Sequence, residues 1–272
     1  MFEISTARPA SVANRLGRNR VFERLARTGF VMAGVVHVLI GYLAVRIASG
    51  GGGATDQSGA MGELAAEPGG VLVLGGGVAA FAFMALWRLA EAVLGKNSPG
   101  GAQGSASAVL HRAKAFAVAL VYFGYAITAF GFARGSGRSS SGQSAGLSAR
   151  LMQSTGGTIV LVVAGLVLVA VGGYHLYKGV TRKFVEELRT HNSLLRRIGT
   201  VGYTSKGLAI AGVGVLVIVA VNQSDPGKAG GLDAALKTLG AQPYGPVLLV
   251  AAGLGIATYG LYDFACARYA EM

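Results

Sequence analysis

Seven ionisable side chains lie inside long apolar segments or near their ends, where a charge is costly unless it has a partner or a function. His37 is nine residues into one such segment, which corresponds to a depth of about 14 Å at 1.5 Å per residue. It is either a proton-relay or ligand-contacting group, or a neutral histidine bonded to a carbonyl oxygen. The other six lie toward the segment ends: Arg88, Glu91, His175, Lys178, Lys206 and Asp263.

The six groups near the segment ends have mixed signs and fall at one predicted level of the membrane, where they could meet as a ring of charges. Two ion pairs are predicted: Asp263 with Lys206 or Arg88, and Glu91 with Lys178 or Arg112. Such pairs would lock neighbouring helices together. The alternative is that these groups line a vestibule for an ion or a small anion.

The sequence lacks the arrangements that catalysis or cofactor binding requires. No nucleophile–base pair, phosphate-binding loop or metal-ligand cluster is visible. The single cysteine, Cys266, excludes an internal disulfide and a Cys-rich metal site. A haem held by His37 and His175 would need both histidines at one depth, and their predicted heights differ by about 6 Å. We therefore expect no enzyme activity, no metal and no cofactor.

The elements that carry these residues are six apolar segments. Hydrophobic residues make up 52% of the 272-residue chain and charged residues only 13%, about half the charged share of a soluble domain. A membrane-spanning helix needs about 20 mostly apolar residues. Six segments meet this requirement: 28–48, 70–92, 113–133, 157–180, 201–221 and 245–267. We predict an all-α integral membrane protein whose Gly/Ser-rich connections, 50–62 and 135–146, are flexible loops.

The lysines and arginines are distributed unequally between the two ends of the predicted spans. Of 24, eighteen lie before the first span, around the second and fourth connections, or after the last span. Because cytoplasmic loops collect Lys and Arg, both termini are predicted to be cytoplasmic. The net charge of +12 comes without nucleic-acid-binding motifs, so the expected partners are the lipid bilayer and anionic lipids at the cytoplasmic face.

The six spans form three tandem repeats of two spans each. Gly70, Gly157 and Gly245 begin the even-numbered spans at spacings of 87 and 88 residues. In that register Arg88, His175 and Asp263 are equivalent positions. The odd-numbered spans share glycines or alanine at a second common spacing: Gly29, Gly34 and Gly41; Gly202, Gly207 and Gly214; and Ala119, Gly124 and Gly131.

Small residues seven positions apart fall on one face of a helix, so each span is predicted to pack through a smooth face. Because each repeat has two spans, successive repeats run parallel, which favours a pseudo-threefold axis along the membrane normal. We expect a basic amphipathic N-terminal segment and an amphipathic connector between the last two repeats. The predicted organisation is the segment 1–23, repeats 24–95 and 110–180, the connector 181–197 and repeat 198–272.

Two short motifs carry a resemblance to a known family. Gly-Tyr-x-x-Lys-Gly runs from Gly202 to Gly207, and Gly-x-Tyr-Asp runs from Gly260 to Asp263. With the three tandem units, the chain resembles a bacterial membrane family catalogued as domain of unknown function 1206, over about residues 24–270. The second repeat lacks the first motif. The resemblance implies a bacterial inner-membrane protein, and it implies no substrate, reaction or catalytic residue.

Two function classes remain open. The first is a non-enzymatic accessory or scaffold subunit that packs with itself, with lipid or with another membrane complex. The second is a small channel or carrier with a path along the pseudo-threefold axis. The first is favoured because transport sites usually show broken helices or several mid-membrane polar residues, and here only His37 lies at mid-membrane. Tyr125 and Tyr259 are expected to anchor the membrane interfaces.

Cysteine labelling tests the predicted orientation. With Cys266 replaced by serine, a cysteine at Asp56 or Asp233 should react with an impermeant maleimide added outside intact cells. A cysteine at Asn192 should not react, because its connection is predicted to be cytoplasmic. Labelling of position 192 together with protection of the other two would refute the orientation.

Overall fold

The computed structural model describes residues 20–94, 106–187 and 192–269. In chain order the helices are α1 Arg20–Ala48, α2 Gln57–Ala66, α3 Gly70–Leu94, α4 Ala106–Ala133, α5 Ser140–Leu151, α6 Thr155–Val180, α7 Ser193–Gln223, α8 Gly231–Gly240 and α9 Gly245–Tyr269. Two 3₁₀ turns, Lys183–Glu187 and Pro226–Ala229, lie between them. No strand occurs in these parts of the chain. Each repeat therefore has a long, a short and a long helix.

The six long helices, α1, α3, α4, α6, α7 and α9, are each long and apolar enough to cross a membrane. This confirms the six predicted spans and an all-helical membrane protein. Most of the N-terminal segment 1–23 lies outside the described residues, as does 188–191 of the connector 181–197. The rest of that connector forms the first 3₁₀ turn and the start of α7.

The connections predicted to be flexible loops contain the short helices α2 and α5, so that prediction is wrong. Helix α2 begins after Asp56, whose carboxylate accepts a hydrogen bond from the Gly59 backbone N–H at 2.9 Å. Helix α5 begins after Ser139, whose hydroxyl accepts from the Gly142 N–H at 3.1 Å. These side chains satisfy backbone donors that a helix start leaves unpaired. The cap residues thus outweigh the flexibility that the glycines and serines suggest.

The three short helices, α2, α5 and α8, lie together at one end of the bundle, which we call the cap end; the opposite end is the basic end. The Thr55 backbone N–H and hydroxyl both donate to Asp233 Oδ1, at 2.8 and 3.0 Å. The Ser140 N–H donates to the Ser58 hydroxyl at 3.0 Å. These buried bonds tie the three repeats into one layer. Because Asp56 and Asp233 are buried, labelling from the cap end should use the exposed Gly52 and Ser224.

The spans pair most extensively between repeats rather than within them. The second span of each repeat packs on the first span of the next: α3 on α4, α6 on α7, and α9 back on α1. This closed cyclic order is what a pseudo-threefold bundle requires, and the axis itself stays a prediction. The second repeat departs from the pattern, because its spans α4 and α6 barely touch, whereas α1 meets α3 and α7 meets α9.

Two of the three pairs are held by reciprocal glycine contacts. A Cβ added to Gly41 would lie 2.5 Å from the Gly253 carbonyl oxygen, and one on Gly253 would lie 2.7 Å from that of Gly41. Gly34 with Gly260, Gly172 with Gly207, and Gly165 with Gly214 repeat this arrangement. The predicted smooth faces are confirmed at α1–α9 and α6–α7, where only glycine permits such close backbones.

The small-residue register predicted for the third span is wrong at its two glycines. Gly124 has no atom within 4 Å of an added Cβ, and Gly131 has none nearer than 3.7 Å. Ala119, the third residue of that register, is buried as predicted at 1% exposed, and the other buried small residues of α4 are Ala115, Ala126 and Ala129. Alanine serves the same purpose as glycine on a packing face, so this span packs through alanines rather than through Gly124 and Gly131.

A matched pair of substitutions tests the glycine contacts. We expect Gly41→Ala to lower the free energy of unfolding in detergent by about 1–3 kcal/mol, because it overpacks the α1–α9 crossing. Gly124→Ala should leave stability unchanged or raise it by up to about 1 kcal/mol, since alanine is the better helix former. Equal melting temperatures for the two variants would contradict the assignment of the packing faces.

Candidate functional site

The centre of the bundle contains a cavity of about 240 Å³. Side chains of five spans, α1, α4, α6, α7 and α9, line it together with the cap helices α2 and α8. Its polar lining residues are His37, Gln57, Tyr125, Lys206 and Tyr259, and the others are apolar. All three repeats contribute to this partly open chamber, whose lining is mostly apolar with five polar residues.

Lys206 places a positive charge in this chamber. Its Nζ lies 4.0 Å from the centre of the Tyr259 ring. A ring face attracts a cation by up to about 2 kcal/mol when water is excluded. Among the described residues, no ion pair includes Lys206. Asp263 pairs with His37 and is not within ion-pairing distance of Lys206, so no acidic side chain among the described residues contacts this amine.

His37 is the second ionisable residue that lines the chamber. Its Nδ1 lies 2.8 Å from the Ala33 carbonyl oxygen and 2.9 Å from Asp263 Oδ2. One ring nitrogen carries at most one hydrogen, and the alignment favours the carbonyl as acceptor. Asp263, only 5% exposed, therefore acts on His37 mainly through its charge. The edge-on contact of His37 with the Tyr259 ring, 5.0 Å between centres, joins it to Lys206.

The predicted partners of the two acidic residues are wrong. Asp263 pairs with His37 rather than with Lys206 or Arg88. Glu91 pairs with Arg88, 2.8 Å away on its own helix, and with His111, 3.0 Å away on α4. Residues three apart on a helix are neighbours, so the Arg88–Glu91 pair forms within α3 and does not depend on how α3 packs against other helices.

The repeat-equivalent residues Arg88, His175 and Asp263 each have a different partner, and the ring of charges stays a prediction. Arg88 pairs with Glu91 on its own helix, and Asp263 pairs with His37 on α1. His175 lies 2.9 Å from the Val171 carbonyl oxygen and stacks on Tyr203. Lys178 donates to the Tyr203 hydroxyl at 3.3 Å. Of the seven predicted site residues, His37 and Lys206 line the cavity and Asp263 contacts it through His37.

Sequence reasoning missed three lining residues. Tyr125 and Tyr259 were expected at the interfaces, but Tyr259 is 7% exposed and Tyr125 packs on Phe81 in the core. Gln57, expected in a loop, donates to the Tyr125 hydroxyl at 3.1 Å on the cap side of the chamber. One signal was present: Tyr259 and Asp263 are four residues apart, which places them on one helix face.

A second cavity, of about 490 Å³, lies between α7, α8 and α9. It is larger, but Ser205 is its single hydroxyl-bearing lining residue and it has no ionisable side chain. The smaller cavity, which has the ionisable lining residues, is therefore the candidate functional site. Within the residues that the structure describes, no three His, Cys, Asp or Glu side chains are grouped as metal ligands.

Three segments of the chain, residues 28–95, 113–182 and 201–270, match the family described as Domain of Unknown Function (DUF1206). The chain belongs to the DUF1206 family. The three matches confirm the three tandem repeats. This DUF1206 chain is also similar to Uncharacterized protein YxxB of Bacillus subtilis (strain 168), with 28% identity over 258 residues that cover 92% of each chain. No solved structure matches it.

A double-mutant cycle tests the contact between His37 and Asp263. We expect His37→Gln and Asp263→Asn to be coupled by about 0.5–3 kcal/mol in the free energy of unfolding, as contacting residues are. The corresponding cycle between Lys206→Gln and Asp263→Asn should give a smaller coupling, because those groups are not in contact. Additive effects of the His37 and Asp263 substitutions would contradict the pairing.

Proposed function

We propose that this DUF1206 protein binds a small anion in its central cavity and carries it through the membrane, rather than catalysing a reaction. One observation supports the proposal above the others: the Lys206 ammonium group lines a chamber inside the bundle without an acidic contact among the described residues. An isolated charge in an apolar surrounding is strongly unfavourable. A bound anion would remove most of that penalty.

The donors around the chamber favour an anion over a cation. Lys206 offers an ammonium group, Tyr125 a hydroxyl and Gln57 an amide, all of them lining groups that can donate hydrogen bonds. No carboxylate lines the cavity among the described residues, and Asp263, which pairs with the lining residue His37, is not itself a lining residue. Ammonium groups bind carboxylate and phosphate oxygens as point charges, so a small monovalent anion is the class of ligand that fits.

The geometry supports a carrier more than an open channel. The cap helices α2 and α8 line the chamber on the cap side, where Gln57 is bonded to Tyr125. A ligand leaving toward that end would have to displace this bond. Alternating access around a fixed site near the middle of the membrane is the usual mechanism of secondary transporters.

The scaffold function favoured by the sequence rested on His37 being the one polar residue at mid-membrane. The cavity brings His37 together with Lys206 and Tyr259, and this grouping supports the carrier alternative instead. Packing with a second copy or with another membrane complex stays a prediction. We further propose a bacterial inner-membrane location with both termini and the basic end in the cytoplasm, on the distribution of lysine and arginine.

Ligand binding by the purified protein tests the anion site. Sodium butanoate should raise the melting temperature in detergent, whereas gluconate at the same ionic strength should not, because it is too large and too hydrated for the chamber. Lys206→Gln should weaken butanoate binding at least about tenfold, since a hydrogen bond to a charged group is lost. The control Lys114→Gln removes an exposed lysine that does not line the cavity and should bind normally. Equal binding by both variants would refute the proposal.

A further inference from the structure

The two cavities of the bundle meet at the same three residues. Ala209, Leu232 and Ile256 line both the polar chamber and the apolar crevice of about 490 Å³ between α7, α8 and α9. Helix α7 therefore has Lys206 toward one cavity and Leu208 and Gly212 toward the other. The ionisable lining residues therefore belong to one cavity, and the adjoining cavity is lined by apolar residues apart from Ser205.

The crevice opens sideways at the level of the membrane spans. Leu208 and Leu248, on its two long walls, are 60% and 38% exposed. Its remaining lining is alanine, leucine, isoleucine and glycine, apart from Ser205. At this level the surrounding medium is hydrocarbon, so an apolar chain can enter the crevice from the bilayer without meeting water.

We infer that the ligand is a single-chain amphiphile with an anionic head, a medium-length carboxylate. The carboxylate would contact Lys206 in the polar chamber, and the hydrocarbon chain would pass Ala209 and lie in the crevice. This assignment rests on the proposed anion site and adds the class of ligand. Charge complementarity to Lys206 selects the head, and the apolar lining of the adjoining crevice selects the tail.

Chain length is the variable that tests the inference. In the purified full-length protein, binding of butanoate, hexanoate and octanoate is measured by the shift in melting temperature in one detergent. Burying a methylene is worth about fourfold in affinity, so octanoate should bind much more tightly than butanoate. Partition of octanoate into the micelles reduces the difference equally for every variant, so the comparison between variants is decisive.

Gly212 offers a variant that fills the crevice without disturbing the packing. It lines the crevice, and a Cβ built there has no atom within 4 Å. Gly212→Leu should therefore remove most of the advantage of octanoate and leave butanoate binding unchanged. The matched control is Gly76→Leu on α3, which also has no atom within 4 Å and lines neither cavity. It should keep the full dependence on chain length.

The outcomes separate the two proposals. If butanoate and octanoate bind equally to the natural sequence, or if Gly212→Leu keeps the advantage of octanoate, the crevice is not the tail site. The anion site would survive that result. If neither carboxylate binds, the anion site itself is refuted. Lys206→Gln should weaken binding of both carboxylates, and its failure to do so would place the head elsewhere.

Discussion

An ammonium group that is enclosed by apolar helices loses its hydration, and the surrounding protein has to supply a substitute. At Lys206 the protein replaces the lost hydration only in part. The amine contacts the face of the Tyr259 ring, and the Asp263 carboxylate interacts with it from beyond contact distance. His37 stands between that carboxylate and the cavity. The proposed anion site follows from this arrangement, because a bound anion would supply the contact that no described acidic side chain makes with Lys206.

The packing of the spans leaves room for the cavity. Reciprocal glycine contacts draw α1 to α9 and α6 to α7, whereas the buried small residues of α4 include Ala126 and Ala129, in one core cluster with Ala80 and Phe81 of α3. The spans of the second repeat, α4 and α6, barely touch. One residue from each, Tyr125 and Leu168, lines the cavity. The cavity therefore lies next to the two spans whose packing differs from that of the other repeats. The cap helices α2 and α8 line the same cavity.

Hydrophobic length and glycine spacing predicted the spans and the repeats because both depend on local sequence alone. The cap helices were missed because Asp56 and Ser139 act as helix caps only in the folded backbone. The partners of Asp263 and Glu91 were missed because they depend on how each helix is rotated about its axis, which charge spacing does not reveal. His37 and Lys206 were recognised individually, since an ionisable residue within a span is unusual. That both of them contact the Tyr259 ring depends on the tertiary structure and could not be predicted from the sequence.

The most direct measurement is an anomalous-scattering map of the protein crystallised with 2-bromobutanoate. We expect a bromine peak inside the cavity between α1, α7 and α9, with a carboxylate oxygen about 2.7–2.9 Å from Lys206 Nζ. Crystals of Lys206→Gln should show no such peak. Bromine found only at the protein surface, or a cavity peak that persists in Lys206→Gln, would contradict the claim that the charge of Lys206 holds the ligand.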